Sequence, residues 1–151
     1  MAQFDEYRQP FLEHLHLHKL FHWDPAIRHL SSKSLNVLVP LDRPYTETTI
    51  IPFLLGKCTS SELIVRHGAL LGLGEAVLAL RSSWDAAMLS KLAELVPTIE
   101  KLRLYRGRGG EIMRAAVCRF IECITLSNMT LSVKQQVRCA VWSQHCLRNL
   151  G

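Results

Sequence analysis

Cysteine pairs at metal or redox spacing are missing from this sequence. The five cysteines, Cys58, Cys118, Cys123, Cys139 and Cys146, include no Cys-x-x-Cys and are odd in number. A disulfide framework or a structural zinc site needs paired, regular spacing, so neither is expected and no metal ligand is assigned. No two Lys or Arg residues are adjacent, although they outnumber Asp and Glu by 18 to 13. That scatter argues against a nucleic-acid arm, while the net charge of +5 still favours acidic partners at long range. The opening MAQFDEYRQP is acidic and polar, without the basic-then-apolar order of a signal peptide. The most apolar stretch, 68–80, is too short for a bilayer and carries Glu75 at its middle, so no membrane insertion is expected. Missing as well are a Gly-Lys-Ser/Thr phosphate loop, a Ser-His-Asp grouping and a defensible carboxylate pair. No catalytic residue is therefore assigned, no cofactor is implied, and the chain reads as a soluble, reduced, intracellular protein that is not an enzyme.

What is present is helix. Hydrophobic residues make up 48% and charged residues 21%, a globular balance, and the aliphatics fall in windows too long for strands. Leu12, Leu15 and Leu20 predict a first helix starting near Pro10. Asp24-Pro25 is the clearest start signal, a capping acceptor followed by proline at the first helical position. The helix it opens ends at Pro40. A shorter helix over 46–57 contains Pro52 and should kink or start broken. Ser60 or Ser61 is expected to cap a long helix over 62–80, rich in small residues that let a neighbour approach closely. Further helices are expected over 85–104, with a bend at Pro97, over 111–125 and over 131–150. The total is about seven helices in one all-α segment, 1–151.

An internal echo separates a stack of repeats from a simple bundle. Ile27-Arg28, Val65-Arg66, Met113-Arg114 and Val137-Arg138 each pair an aliphatic with Arg and continue into small or β-branched residues; Asp24, Glu62 and Glu111 precede the first three. The arginines lie 38, 48 and 24 residues apart. The pattern resembles the second helix of a HEAT repeat, and the reading is a HEAT/armadillo-type α-solenoid. In such a stack the arginine can bridge carbonyl or acidic groups at the ends of neighbouring repeats.

Three blocks carry a more specific likeness. His22-Trp23-Asp24-Pro25-Ala26-Ile27-Arg28-His29-Leu30, Val65-Arg66-His67-Gly68-Ala69-Leu70 and the run from Leu104 through Tyr105-Arg106-Gly107-Arg108-Gly109-Gly110 to Cys118 resemble, in order and spacing, the central helical-repeat region of the tubulin-specific chaperone D (tubulin-folding cofactor D) family. The resemblance implies a cytoplasmic, cytoskeleton-associated protein that holds β-tubulin after the chaperonin. It further implies joining of β- to α-tubulin with tubulin-folding cofactors C and E, and partnership with an Arf-like small GTPase.

Arg106 and Arg108 sit on a glycine-rich turn, read either as a plain helix stop at Gly107 or as a contact to an acidic partner surface. Arg28, Arg66 and Arg114 are read as bridges within the stack, with partner contact the other possibility. His14, His18 and His22 share a helical face by spacing, but without a matching carboxylate or thiol they read as a solvated edge. Trp23 is expected to staple the preceding helix, and Cys118 and Cys123 to lie in the core. A general HEAT scaffold with another partner is the alternative function.

Overall fold

A computed structural model describes residues 4–81, 84 and 86–127 of the chain. Among them all regular structure is helical. Five helices have thirteen residues or more: α1 (Asp5–Leu17), α2 (Pro25–Leu38), α5 (Leu63–Leu80), α6 (Ala86–Lys101) and α7 (Gly110–Leu126). Between α2 and α5 the chain stays irregularly helical through a 3-10 turn (Val39–Asp42), α3 (Arg43–Tyr45), a π turn (Thr46–Ile50) and α4 (Ile51–Lys57). Five substantial helices replace the expected seven, because 46–57 is a composite piece and the helix predicted over 131–150 lies outside the described residues.

Several boundaries move for local reasons. The first helix starts at Asp5 rather than near Pro10; Asp5 and Glu6 fill its first turn, where the helix dipole favours acids. Asp24 caps α2 as expected, its carboxylate accepting from Ala26 N at 2.8 Å with Pro25 next in line. The broken start predicted for 46–57 is the π turn, running into Ile51-Pro52. Neither Ser60 nor Ser61 occupies the cap of α5. Glu62 does, without a side-chain cap bond, while Ser60 Oγ accepts from Glu62 N at 3.2 Å. The sixth helix ends at Lys101, not at 104, and the chain turns there with Arg103 at φ +56°.

Helix α5 is the centre of the molecule, with every residue from Arg66 to Val77 buried. By length and composition its 18 residues would suffice to cross a membrane, more than the 68–80 stretch indicates. Here it is the core helix, packed against α2, α4 and α7. Its glycines set how closely those neighbours come. A Cβ on Gly68 would overlap the carbonyl oxygen of Leu20, in the 3-10 turn Lys19–Phe21, and one on Gly74 would lie 3.4 Å from Phe120 Cα in α7. Leu12, Leu20, Leu35, Ile51, Leu54, Leu70, Leu73, Leu92, Ile99, Val117 and Phe120 belong to one apolar cluster around it.

Contacts at both ends fix the direction of packing. Near their starts, Arg28 meets Gly68 and Leu63 meets Gly109; farther along, Asn36 meets Glu75, and Gly74 meets Phe120 and Cys123. Helices α2, α5 and α7 therefore lie side by side and run the same way, with their N-terminal ends along one edge.

Candidate partner-binding edge

Each of these three parallel helices carries its repeat arginine in the first turn and a half, and each arginine is turned back on the loop before it. Arg28 Nη1 donates to His22 O at 2.7 Å and Trp23 O at 2.9 Å. Arg66 Nη1 donates to Ser61 O at 2.7 Å and Ser60 O at 3.5 Å. Arg114 Nη1 donates to Tyr105 O at 3.4 Å. The arginine thus fastens a helix-connecting loop to the helix that follows, and saturates carbonyls that would otherwise be short of donors.

These bonds decide which of the five candidate arginines are available at the surface. Arg28 is 2% exposed, Arg66 8%, and Arg114 is half-buried. Burial pulls the guanidinium pKa of Arg28 and of Arg66 below its ordinary value, as expected for a cation taken partly out of water. Arg28 and Arg66 turn their Nη1 donors to the chain's own loops, and Arg28 Nε donates to His67 of α5 at 3.0 Å, so both side chains lie largely inside the fold. Arg66 Nε is buried without a partner among the described residues. Arg106 and Arg108 are exposed. Their loop holds its shape through Arg106 N→Arg103 O at 3.1 Å and Gly110 N→Gly107 O at 3.0 Å, with Gly107 and Gly109 at φ +76° and +81°.

The register of the three helices extends beyond the arginines. Counted from the arginine, the positions at −5, +2 and +9 are Ser61, Gly68 and Glu75 in α5 and Gly109, Ala116 and Cys123 in α7. Gly68 and Glu75 face α2, and Gly109 and Cys123 face α5. The same positions in α2 are Trp23, Leu30 and Val37, exposed by 75%, 64% and 70%. Trp23 therefore does not staple the preceding helix; its ring tilts against His22 at 5.4 Å between centroids and faces outward.

A polar cluster that sequence reasoning missed ties the three helices together. Glu75, 4% exposed, accepts from Arg119 Nη2 of α7 at 2.7 Å and Nε at 3.0 Å, and from Asn36 Nδ2 of α2 at 3.1 Å. Asn36 Nδ2 also donates to Glu75 O at 3.0 Å. Hydrogen bonds from Arg119 to Glu122 and then to Glu75 hold its charged form against partial burial. The available signal was a single carboxylate amid small and apolar residues, where a charge demands a partner.

The histidines separate. The helix ends at Leu17 before His22, so the three-histidine face is not continuous; His14 and His18 stand 5.6 Å apart, centroid to centroid. Among the described residues no three His, Cys, Asp or Glu side chains come together to hold a metal. Cys118 is half-buried and Cys123 buried, and burial first of all pushes the Cys123 thiol up to about 12.

His67 is buried, and its Nδ1 accepts from Arg28 Nε at 3.0 Å. Burial, then the charges of Arg28 and His29, push its pKa down to about 3. The unfolded chain takes up this proton near 6.5 and the folded chain near 3, so the stabilisation is complete above pH 6.5 and declines as the pH falls toward 3. Urea unfolding at pH 7 and pH 5 is expected to lose roughly 2 kcal/mol from this group, with His16 and His29 shifted in the same direction by burial. His67→Gln, which keeps an acceptor for Arg28, should make that dependence shallower; an unchanged slope would exclude His67 as its source.

No family model matches the chain, and no solved structure matches it. Among known proteins it is similar to tubulin-specific chaperone D of Dictyostelium discoideum, with 26% identity over 131 residues. That alignment covers 83% of this chain and 9% of the much longer relative. The match is distant and partial, and it supports a possible relation to that chaperone.

Proposed function

We propose that this chain is a tubulin-binding helical-repeat segment that acts in tubulin folding as part of, or in the manner of, tubulin-specific chaperone D. The observation that carries the reading is the similarity to that chaperone across 83% of the chain. The parallel register of α2, α5 and α7, each with its arginine-fastened loop, supports a HEAT-type solenoid. In a solenoid each repeat buries its faces on its neighbours, and the loop edges stay free for a partner. The partner is β-tubulin, held after the chaperonin and joined to α-tubulin together with cofactors C and E and an Arf-like small GTPase. The setting is the cytoplasm, in association with the cytoskeleton. The chain works by binding and does no covalent chemistry of its own.

Co-elution of the purified chain with β-tubulin and with the αβ dimer, at low and at physiological salt, tests this directly. Retention at physiological salt is expected, because a specific interface keeps its packed contacts when long-range attraction is screened. A folded chain that binds neither species would overturn the reading. A second function then comes forward, a general HEAT scaffold for another protein, favoured by the exposed row Trp23, Leu30 and Val37. Apolar rows of this kind mark interaction surfaces, and this one runs from Trp23, just before α2, along that helix.

A further inference from the structure

The turn between α6 and α7 concentrates charge of one sign. Residues 101–108 contain Lys101, Arg103, Arg106 and Arg108 and no acidic residue. All four are exposed, and none forms an ion pair with a described residue. The backbone beneath them is fixed rather than loose. Arg103 N donates to Glu100 O at 2.9 Å, Leu104 N to Ile99 O at 3.2 Å, and Arg106 N to Arg103 O at 3.1 Å. Leu104 and Tyr105 pack against the apolar cluster, and Arg114 holds the Tyr105 carbonyl from below. The four cations thus stand on a pinned ridge, and a partner meeting them does not have to order the loop.

We infer that this ridge docks an extended acidic peptide segment, its carboxylates bridging Lys101, Arg103, Arg106 and Arg108. Single cations two or three residues apart along one turn suit a chain of spaced carboxylates. A single-stranded nucleic acid would need an open aromatic face for stacking; Tyr105 is half-buried, and Arg106 lies 6.0 Å over its ring. A membrane surface would need apolar residues to insert beside the charges, and Leu102, 52% exposed, is alone in that role on the ridge. Exposed ion pairs are individually weak, so binding comes from several acting together and falls steeply with salt. The inference does not depend on the identity of the folding client: tubulin binding and acidic-peptide binding fail separately.

The test is fluorescence anisotropy of a labelled decaglutamate peptide against the whole chain at low and physiological salt. Decaglutamine, a uridine decamer and phosphatidylserine vesicles are the comparison ligands. Arg106→Glu/Arg108→Glu is expected to weaken decaglutamate binding at least tenfold. Lys33→Glu/Arg81→Glu, which changes the net charge equally at exposed positions elsewhere, should change it less than twofold. Circular dichroism confirms that both variants keep their helix. Equal losses in the two double variants would reduce the effect to net charge and overturn the proposal. So would absent decaglutamate binding, or tighter binding of the uridine decamer or the vesicles.

Discussion

Gly68→Ala should destabilise the fold by about 3 kcal/mol, at the upper end for a single added methyl group. Most overpacked side chains find relief because the neighbour is a flexible side-chain tip. At Gly68 the added carbon would overlap the carbonyl oxygen of Leu20, part of a 3-10 turn held by Phe21 N→His18 O and His22 N→Lys19 O. Relief requires moving that turn or the central helix. Gly56, with open space within 4 Å of where a Cβ would stand, is the contrast. Gly56→Ala, at an exposed position of α4, should gain about 0.5–1 kcal/mol from helix propensity. Urea midpoints for the two variants should therefore shift in opposite directions. If Gly68→Ala unfolds like the parent chain, the close seat of the Lys19–Phe21 turn on α5 is wrong.

Removing Glu75 is the other large effect. Glu75→Ala leaves Asn36 and Arg119 without their shared acceptor inside a three-helix contact. Breaking a fully buried pair costs about 3–5 kcal/mol. Arg119 keeps Glu122 at 2.8 Å and a side chain 34% exposed, so about 2–3 kcal/mol is expected here once solvent screening is allowed for. Glu75→Gln keeps the shape and an oxygen but loses the charge, and should cost roughly half as much. A double-mutant cycle with Arg119→Met isolates the pair: a coupling of about 1 kcal/mol or more is expected. Additivity of the two single effects would show that Glu75 acts through packing alone.

What could be read from the residues alone follows the range of each interaction. Asp24-Pro25 was legible because a cap is completed within two residues, and the composite start at 46–57 because Pro52 acts on its own backbone. The arginines were half legible. Their recurrence marked equivalent positions, and Arg28 does bridge to the next repeat helix through His67; what the residues did not show is that Arg28 and Arg66 also reach carbonyls five or six residues back. The Glu75 cluster was not legible, since Asn36 and Arg119 lie 39 and 44 residues away and nothing local encodes their convergence. Trp23 misled because large apolar residues before a helix usually turn inward, and here no described helix covers that side of α2. For the binding edge, sequence singled out Arg106 and Arg108, while the pinned backbone that adds Lys101 and Arg103 to them rests on turn geometry.

The all-round burial of α5 has a consequence for the order in which the chain is made. When residue 80 leaves the ribosome, α2 and α4 already exist to cover two sides of this helix, but its Gly74 side has no cover until α7 is complete some 46 residues later. At translation rates of about 5–20 residues per second, that interval lasts several seconds. During it an 18-residue apolar helix with a lone carboxylate is half-wrapped and adhesive. The nascent chain should be most dependent on holding factors in this window, and slow translation between α5 and α7 would lengthen it.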